Sequence, residues 1–281
     1  MEITNELLRE SFSYEYSGEA LTCRMDDQEN LNEILEFCKE IGETVCYDEN
    51  FLDTEVESGI FLYELVYGIK IGKSIDGTIF LQEMLNKKCK MESAEAECVI
   101  MCSCGAFDGG VGTLQEYAAK RQEFLRKMKD CREYGRFMRT CFPNSVFSDG
   151  CEQELTHIKN FEVHKDEITD CLSLLDEKAV SLYNEHQTNL VEAQNILQSM
   201  MQRTCAPDAN HRSELRFEFS FEQENDGKMQ EKKKWVECQP HFKLIRDDSD
   251  LRVYFQWKDD EVGNGEKVLI GRVGRHPWRK H

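Results

Sequence analysis

The sequence predicts an α+β fold on three observations. The stretch from Glu162 to Arg203 holds no Pro and no Gly and repeats apolar residues at helical spacing. The chain before it is acidic and reads as mainly helical. The chain after it is charge-balanced and reads as short strands. Three regions follow: an acidic, mainly helical domain over 1–140, a helical connector with a long spine helix over 141–210, and a β-rich module over 211–281.

In the first region, alternation over residues 12–25 around Gly18 predicts a hairpin. A helix follows from Asp26 with Leu31, Ile34, Leu35, Cys38 and Ile41 on one face, stopped at Gly42. Ile60–Tyr67 is densely apolar and reads as a buried helix or strand. Ser74–Asn86 reads as a helix, and Cys98–Cys104 as a short buried strand or helix end. Thr113 caps a helix running to about Thr140, with Leu114, Tyr117, Ala118, Arg121, Leu125, Met128 and Cys131 on one stripe.

The spine carries Ile168, Leu172, Leu175, Ala179, Leu182, Ala193, Ile196, Leu197 and Met200 on its apolar face, with His186 and Asn189 as a polar layer in the middle. That face predicts a protein partner or self-association. In the third region Leu215, Phe217, Phe219 and Phe221 share one face of a strand. Gln223–Lys234 reads as a polar loop. Trp235–Cys238, His241–Ile245, Leu251–Trp257 and Lys267–Val273 read as strands of an antiparallel meander.

Charge divides the chain. Residues 211–281 hold 15 basic and 14 acidic side chains, and the first 210 hold 20 and 40, within a net charge of −19. The acidic part repels nucleic acid and anionic membrane, so contact with RNA or DNA falls to the last third. A solvated surface is the simpler reading of the acidic part, ahead of a basic partner or mimicry of a phosphate backbone. No stretch is long and apolar enough for a membrane span. Met1–Glu6 lacks a basic and an apolar signal region, so the expected site is the cytoplasm and the 13 cysteines are expected as thiols. Cys98, Cys102 and Cys104 lack paired zinc spacing. The loop Gly105–Gly112 lacks the order of a phosphate-binding motif. Neither a metal nor a cofactor is expected.

The C-terminal cations are the most informative feature. Arg252 lies on one strand, Arg272, Arg275 and His276 on the end of the next, and Lys243 and His241 precede them. If the strands pair, these groups gather at one end of a sheet, where they grip phosphates and stabilise the charge that develops in phosphodiester cleavage. Tyr254, Trp257 and Trp278 are candidates for base stacking. The alternative is a solvated edge with scattered charges.

These strands, Asp250-Leu-Arg-Val-Tyr254 and Val268-Leu-Ile-Gly-Arg-Val-Gly-Arg-His276, resemble the end of the RelE/ParE toxin superfamily. The resemblance implies a small α+β module with a curved antiparallel sheet and, in the RelE branch, a ribosome-dependent mRNA endonuclease. The ParE branch has no nuclease activity. Arg252 matches the family's strand arginine, and Arg275 or His276 the basic group closing the last strand. Members usually open with a helical hairpin beside this sheet, where this sequence predicts the strand Phe217–Phe221.

The expected function is therefore a toxin-like or host-defence protein whose C-terminal module contacts RNA or another nucleic acid, in the enzymatic case as a metal-independent endoribonuclease. Arg252, Arg275 and His276 are the catalytic candidates, and Lys243, Tyr254, Arg272 and Trp278 the binding candidates. The acidic region would inhibit or target that module. The alternative is a non-enzymatic adaptor acting through the long helix and the acidic surface.

Overall fold

The computed structural model describes residues 5–7, 25–47, 50–53, 55–57, 59–70, 89–91, 98–100, 110–207, 212–225, 228–244 and 251–275. The fold is α+β, with an antiparallel-rich sheet toward the C-terminus. The chain forms two compact units, 1–121 and 122–281. The connector and the β-rich module of the sequence reading thus fall within one unit. Residues 12–24 of the expected hairpin, the helix Ser74–Asn86, Cys102, Cys104, residues 105–109 of the glycine-rich loop and the turn Asp247–Asp250 lie outside the described residues.

The first unit contains a parallel sheet that the sequence did not announce. Its strands β1 (Asn5–Leu7), β2 (Val45–Tyr47), β5 (Cys89–Met91), β6 (Cys98–Ile100) and β7 (Gly110–Val111) pair in the order β5-β2-β1-β6-β7. Each has three residues or fewer, too short to display a period. Helix α1 (Met25–Glu40) follows the expected face: Leu31, Ile34, Leu35 and Cys38 are fully buried. Gly42, at φ 74°, reverses the chain. The Glu43 amide donates to the Cys38 carbonyl at 2.8 Å and the Gly42 amide to Lys39 at 3.2 Å, which closes the last turn. Ile60–Tyr67 divides into β4 (Ile60–Phe61), paired with β3 (Glu55–Glu57), and the short helix α2 (Leu62–Val66).

Helix α3 (Leu114–Lys127) starts as expected, with Thr113 Oγ1 accepting from the Glu116 amide. Arg121, placed on its stripe by spacing alone, is buried and paired to Glu43 at 2.6 Å. Tyr117 donates its hydroxyl to Glu43 at 2.6 Å, with Asn5 Oδ1 3.0 Å from the same oxygen, so one carboxylate answers two groups from α3.

Two predicted long helices are broken. The Thr113–Thr140 helix divides into α3 and α4 (Cys131–Met138). Asp130 caps α4, accepting from the Arg132 and Glu133 amides at 2.8 and 2.9 Å. Asp130-Cys-Arg-Glu133 has capping spacing, a start signal inside the apolar stripe. The spine divides into α5 (Phe161–Glu185) and α6 (Leu190–Met201), and the break, 186–189, takes in the polar layer His186 and Asn189. Arg203 after α6 pairs with Glu167 near the start of α5, so the two helices form an antiparallel hairpin.

The second unit's main sheet has the order β8-β14-β13-β12-β9, from β8 (Ser145–Phe147), β9 (Cys205–Pro207), β12 (Pro240–Lys243), β13 (Leu251–Gln256) and β14 (Val268–Arg275). The pairing is antiparallel except where β8 runs parallel to β14. Gln223–Lys234 is not a loop. It belongs to a ribbon of β10 (Arg216–Asn225) and β11 (Lys228–Glu237), paired from Arg216–Glu237 to Asn225–Lys228. Phe219 and Val236 of the ribbon pack with Tyr254 and Leu269 of the sheet.

Asp176 on α5 reaches the start of β8. Its carboxylate accepts from the Asn144 amide at 2.8 Å and from Ser145 Oγ at 2.7 Å. Burial outweighs these hydrogen bonds and pushes its pKa from 3.8 up to about 7. The folded state therefore binds a proton that the unfolded chain releases near pH 4. This contribution to stability is present at acid pH and fades as pH rises to about 7.

Two outcomes are expected. Leu175 is fully buried on α5, so Leu175→Asp lowers stability in a denaturant melt by about 3–5 kcal/mol. Asp176→Asn flattens the pH dependence: its stability relative to the native chain rises between pH 5 and pH 8 by about 2.5 kcal/mol. Parallel melting curves for the two chains across that range would refute the buried, protonated carboxyl.

Candidate functional site

Strand register decides which of the predicted cations share a surface. His241 pairs with Tyr254, which pairs with Arg272. Lys243 pairs with Arg252, which pairs with Gly274. Directly paired residues lie on one face, as do residues two apart along a strand. Lys243, Arg252, Tyr254 and Arg272 therefore share a face, with His241 beside them. Arg275 pairs with Leu251 and falls on the opposite face. The catalytic group expected from sequence is thus divided: Arg252 and Arg275 do not converge. His276 and Trp278 lie outside the described residues.

The shared face is largely roofed. Arg252 is 8% exposed and donates from Nη1 to the Leu251 carbonyl at 3.2 Å. Lys243, directly opposite, is exposed. Tyr254 is fully buried, its ring 4.8 Å from that of His241 and 6.3 Å from that of Phe217. It presents no free face for a base. Trp257 is also buried, against Phe255 and Tyr183.

Arg272 is committed within the chain. It donates from Nη2 to Glu154 at 2.6 Å and from Nε to the Arg275 carbonyl at 2.7 Å. Burial pulls its pKa down and Glu154 opposes that pull. Glu154 comes from the 3-10 helix Cys151–His157, which lies directly on β14: a Cβ at Gly274 would stand 2.6 Å from the Glu154 Cβ. Gly271 sits at a register shift between the Tyr254–Arg272 and Phe255–Ile270 pairs, and its carbonyl accepts from Ser148 Oγ at 2.6 Å. Sequence reasoning missed these supports. The signal was present: glycine twice within a strand marks a bulge or a close approach.

A cavity of about 350 Å³ opens beside this pair, lined by Ser148, Asp149, Cys151, Glu154, Phe217 and Arg272. The Cys151 thiol is buried and its pKa is pushed up to about 12, so it stays protonated and is no nucleophile at neutral pH. Among the described residues no group of three or more His, Cys, Asp or Glu side chains is placed to hold a metal ion. On this face Lys243, at the end of β12, is the exposed cation that an anion could meet.

Comparisons of the chain with protein-family models, with curated proteins and with solved structures give no match, so its chemistry rests on this geometry.

Proposed function

We propose that the chain is a toxin-like or host-defence protein whose second unit contacts RNA or another nucleic acid through the cationic end of its sheet. The observation that carries this reading is the cross-strand pair Lys243–Arg252, with Arg272 on the same face. The layout adds support. A strand, β8, leads through the helical hairpin α5–α6 into the sheet. The RelE/ParE resemblance implies such a hairpin beside the sheet, and the ribbon β10–β11 then reads as an addition to the module.

The proposal is one of binding rather than cleavage. Arg275 lies across the sheet from Arg252, Arg272 is held by Glu154, and Cys151 is a protonated thiol. A net charge of −19 repels a polyanion, so affinity must come from short-range contacts at this end.

The test is binding of the full chain to a labelled single-stranded RNA at two salt concentrations. Lys243 is exposed, so Lys243→Ala leaves the fold intact. It is expected to cost about 1–3 kcal/mol of binding and to reduce the salt slope by about one. Arg252→Lys keeps the charge and should bind more tightly than Arg252→Met of matched stability. No binding to RNA or DNA at low salt, or binding indifferent to Lys243, would sink this reading.

A further inference from the structure

The α5–α6 hairpin buries one side and leaves another uncovered. Ile168, Leu172, Leu175, Ala193 and Leu197 are in the core. Val163 near the start of α5 is 74% exposed, and Met200 near the end of α6 is 50% exposed. Because the helices are antiparallel, these two ends meet. Between them lies a groove of about 680 Å³, whose apolar lining is Val163, Leu174, Met200 and Met201. Large apolar residues scattered singly are ordinary on a protein surface; a contiguous set lining a groove marks a contact site. The two methionines can repack around a ligand of approximate shape.

The rim carries the opposite chemistry. Asp166 and Asp170 follow one another by a helical turn, and their side chains remain 63% and 57% exposed. Exposed Glu162 and Glu177 extend the row along α5. The site already accepts a cation: Arg126 donates to Asp170 at 2.6 Å and to the Asp166 carbonyl at 3.2 Å, and Arg203 pairs with Glu167.

We propose that this groove is a docking site for a cationic amphipathic helix of another protein. A groove between two antiparallel helices is matched by a third helix that lays its apolar stripe between them. Basic residues flanking that stripe would meet Asp166 and Asp170. A second copy of this chain fits poorly, since each copy carries a net charge of −19. The inference is independent of nucleic-acid contact at the sheet, because it uses none of those residues.

The experiment uses the full chain and a labelled synthetic peptide of leucine and lysine, about five helical turns long with the leucines on one face. A scrambled peptide of the same composition is the control. Val163→Asp and Met200→Glu change exposed residues, so thermal melts should match the native chain. Both substitutions make the surface more acidic while removing apolar contact. Docking in the groove predicts that together they weaken the patterned peptide by about tenfold or more and leave the scrambled peptide's binding unchanged or tighter. Attraction by general charge predicts that both peptides bind the double variant at least as well, and that result would overturn the proposal. So would a patterned peptide that binds no better than the scrambled one. A dimer in sedimentation that Val163→Asp dissociates would make a second copy the occupant, against the inference.

Discussion

The carboxyl group of Asp176 is where the second unit's helical and sheet layers are joined. It projects from α5 and takes up the amide of Asn144 and the hydroxyl of Ser145. Ser145 opens β8, and Val268 of β14 pairs with it. The Asn144 carbonyl in turn accepts from the Val268 amide at 2.9 Å. One side chain on a helix thus sets the height at which two parallel strands begin. The register of β14 then fixes β13, and β13 fixes β12, so the spacing of Arg272, Arg252 and Lys243 depends on that anchor. Burial of the carboxyl keeps it largely protonated below neutral pH, against the pull of the Asn144 and Ser145 donors toward the carboxylate.

A second clamp holds the other end of β8. Arg139 donates to Glu152 at 2.6 Å and to the carbonyls of Phe147 and Ser148. Glu152 belongs to the same 3-10 helix as Glu154, which holds Arg272. Alternate acids of one short helix therefore hold arginines from two different elements. The cations that sequence singled out as free reagents are, at Arg272, part of the fold's internal charge balance. Among the described members of that group, Lys243 is exposed.

The fold was legible where periodicity and length agreed. Helix α1 and strands β12, β13 and β14 appear where alternation or helical spacing placed them. The parallel sheet was illegible because its strands carry at most three residues each, and only neighbouring strands make them strands. The spine failed for a different reason. Absence of Pro and Gly permits a long helix but does not require one, and His186–Asn189 yields to the packing of α6 back on α5. Gln223–Lys234 looked like a loop by composition. Its ladder of paired backbone groups, from Phe221–Lys232 to Asn225–Lys228, outweighs that composition. The site was half legible. Residue types identified the cations, but face and burial come from register, and the shift at Gly271 is invisible without the partner strand.

The position of β14 within its sheet has a consequence for how the chain is made. Ser148 and Gly271, joined by a hydrogen bond, are 123 residues apart in sequence. The strand between β8 and β13 is the last of the five to leave the ribosome. Until it arrives, β8 and β13 each expose an edge with unpaired amides and carbonyls, beside apolar faces that include Val253 and Phe255. The helical hairpin can form on its own sequence, but the sheet must wait. Completion of this sheet therefore waits on β14, and a nascent chain that stalls before Val268 is a candidate for chaperone capture or aggregation.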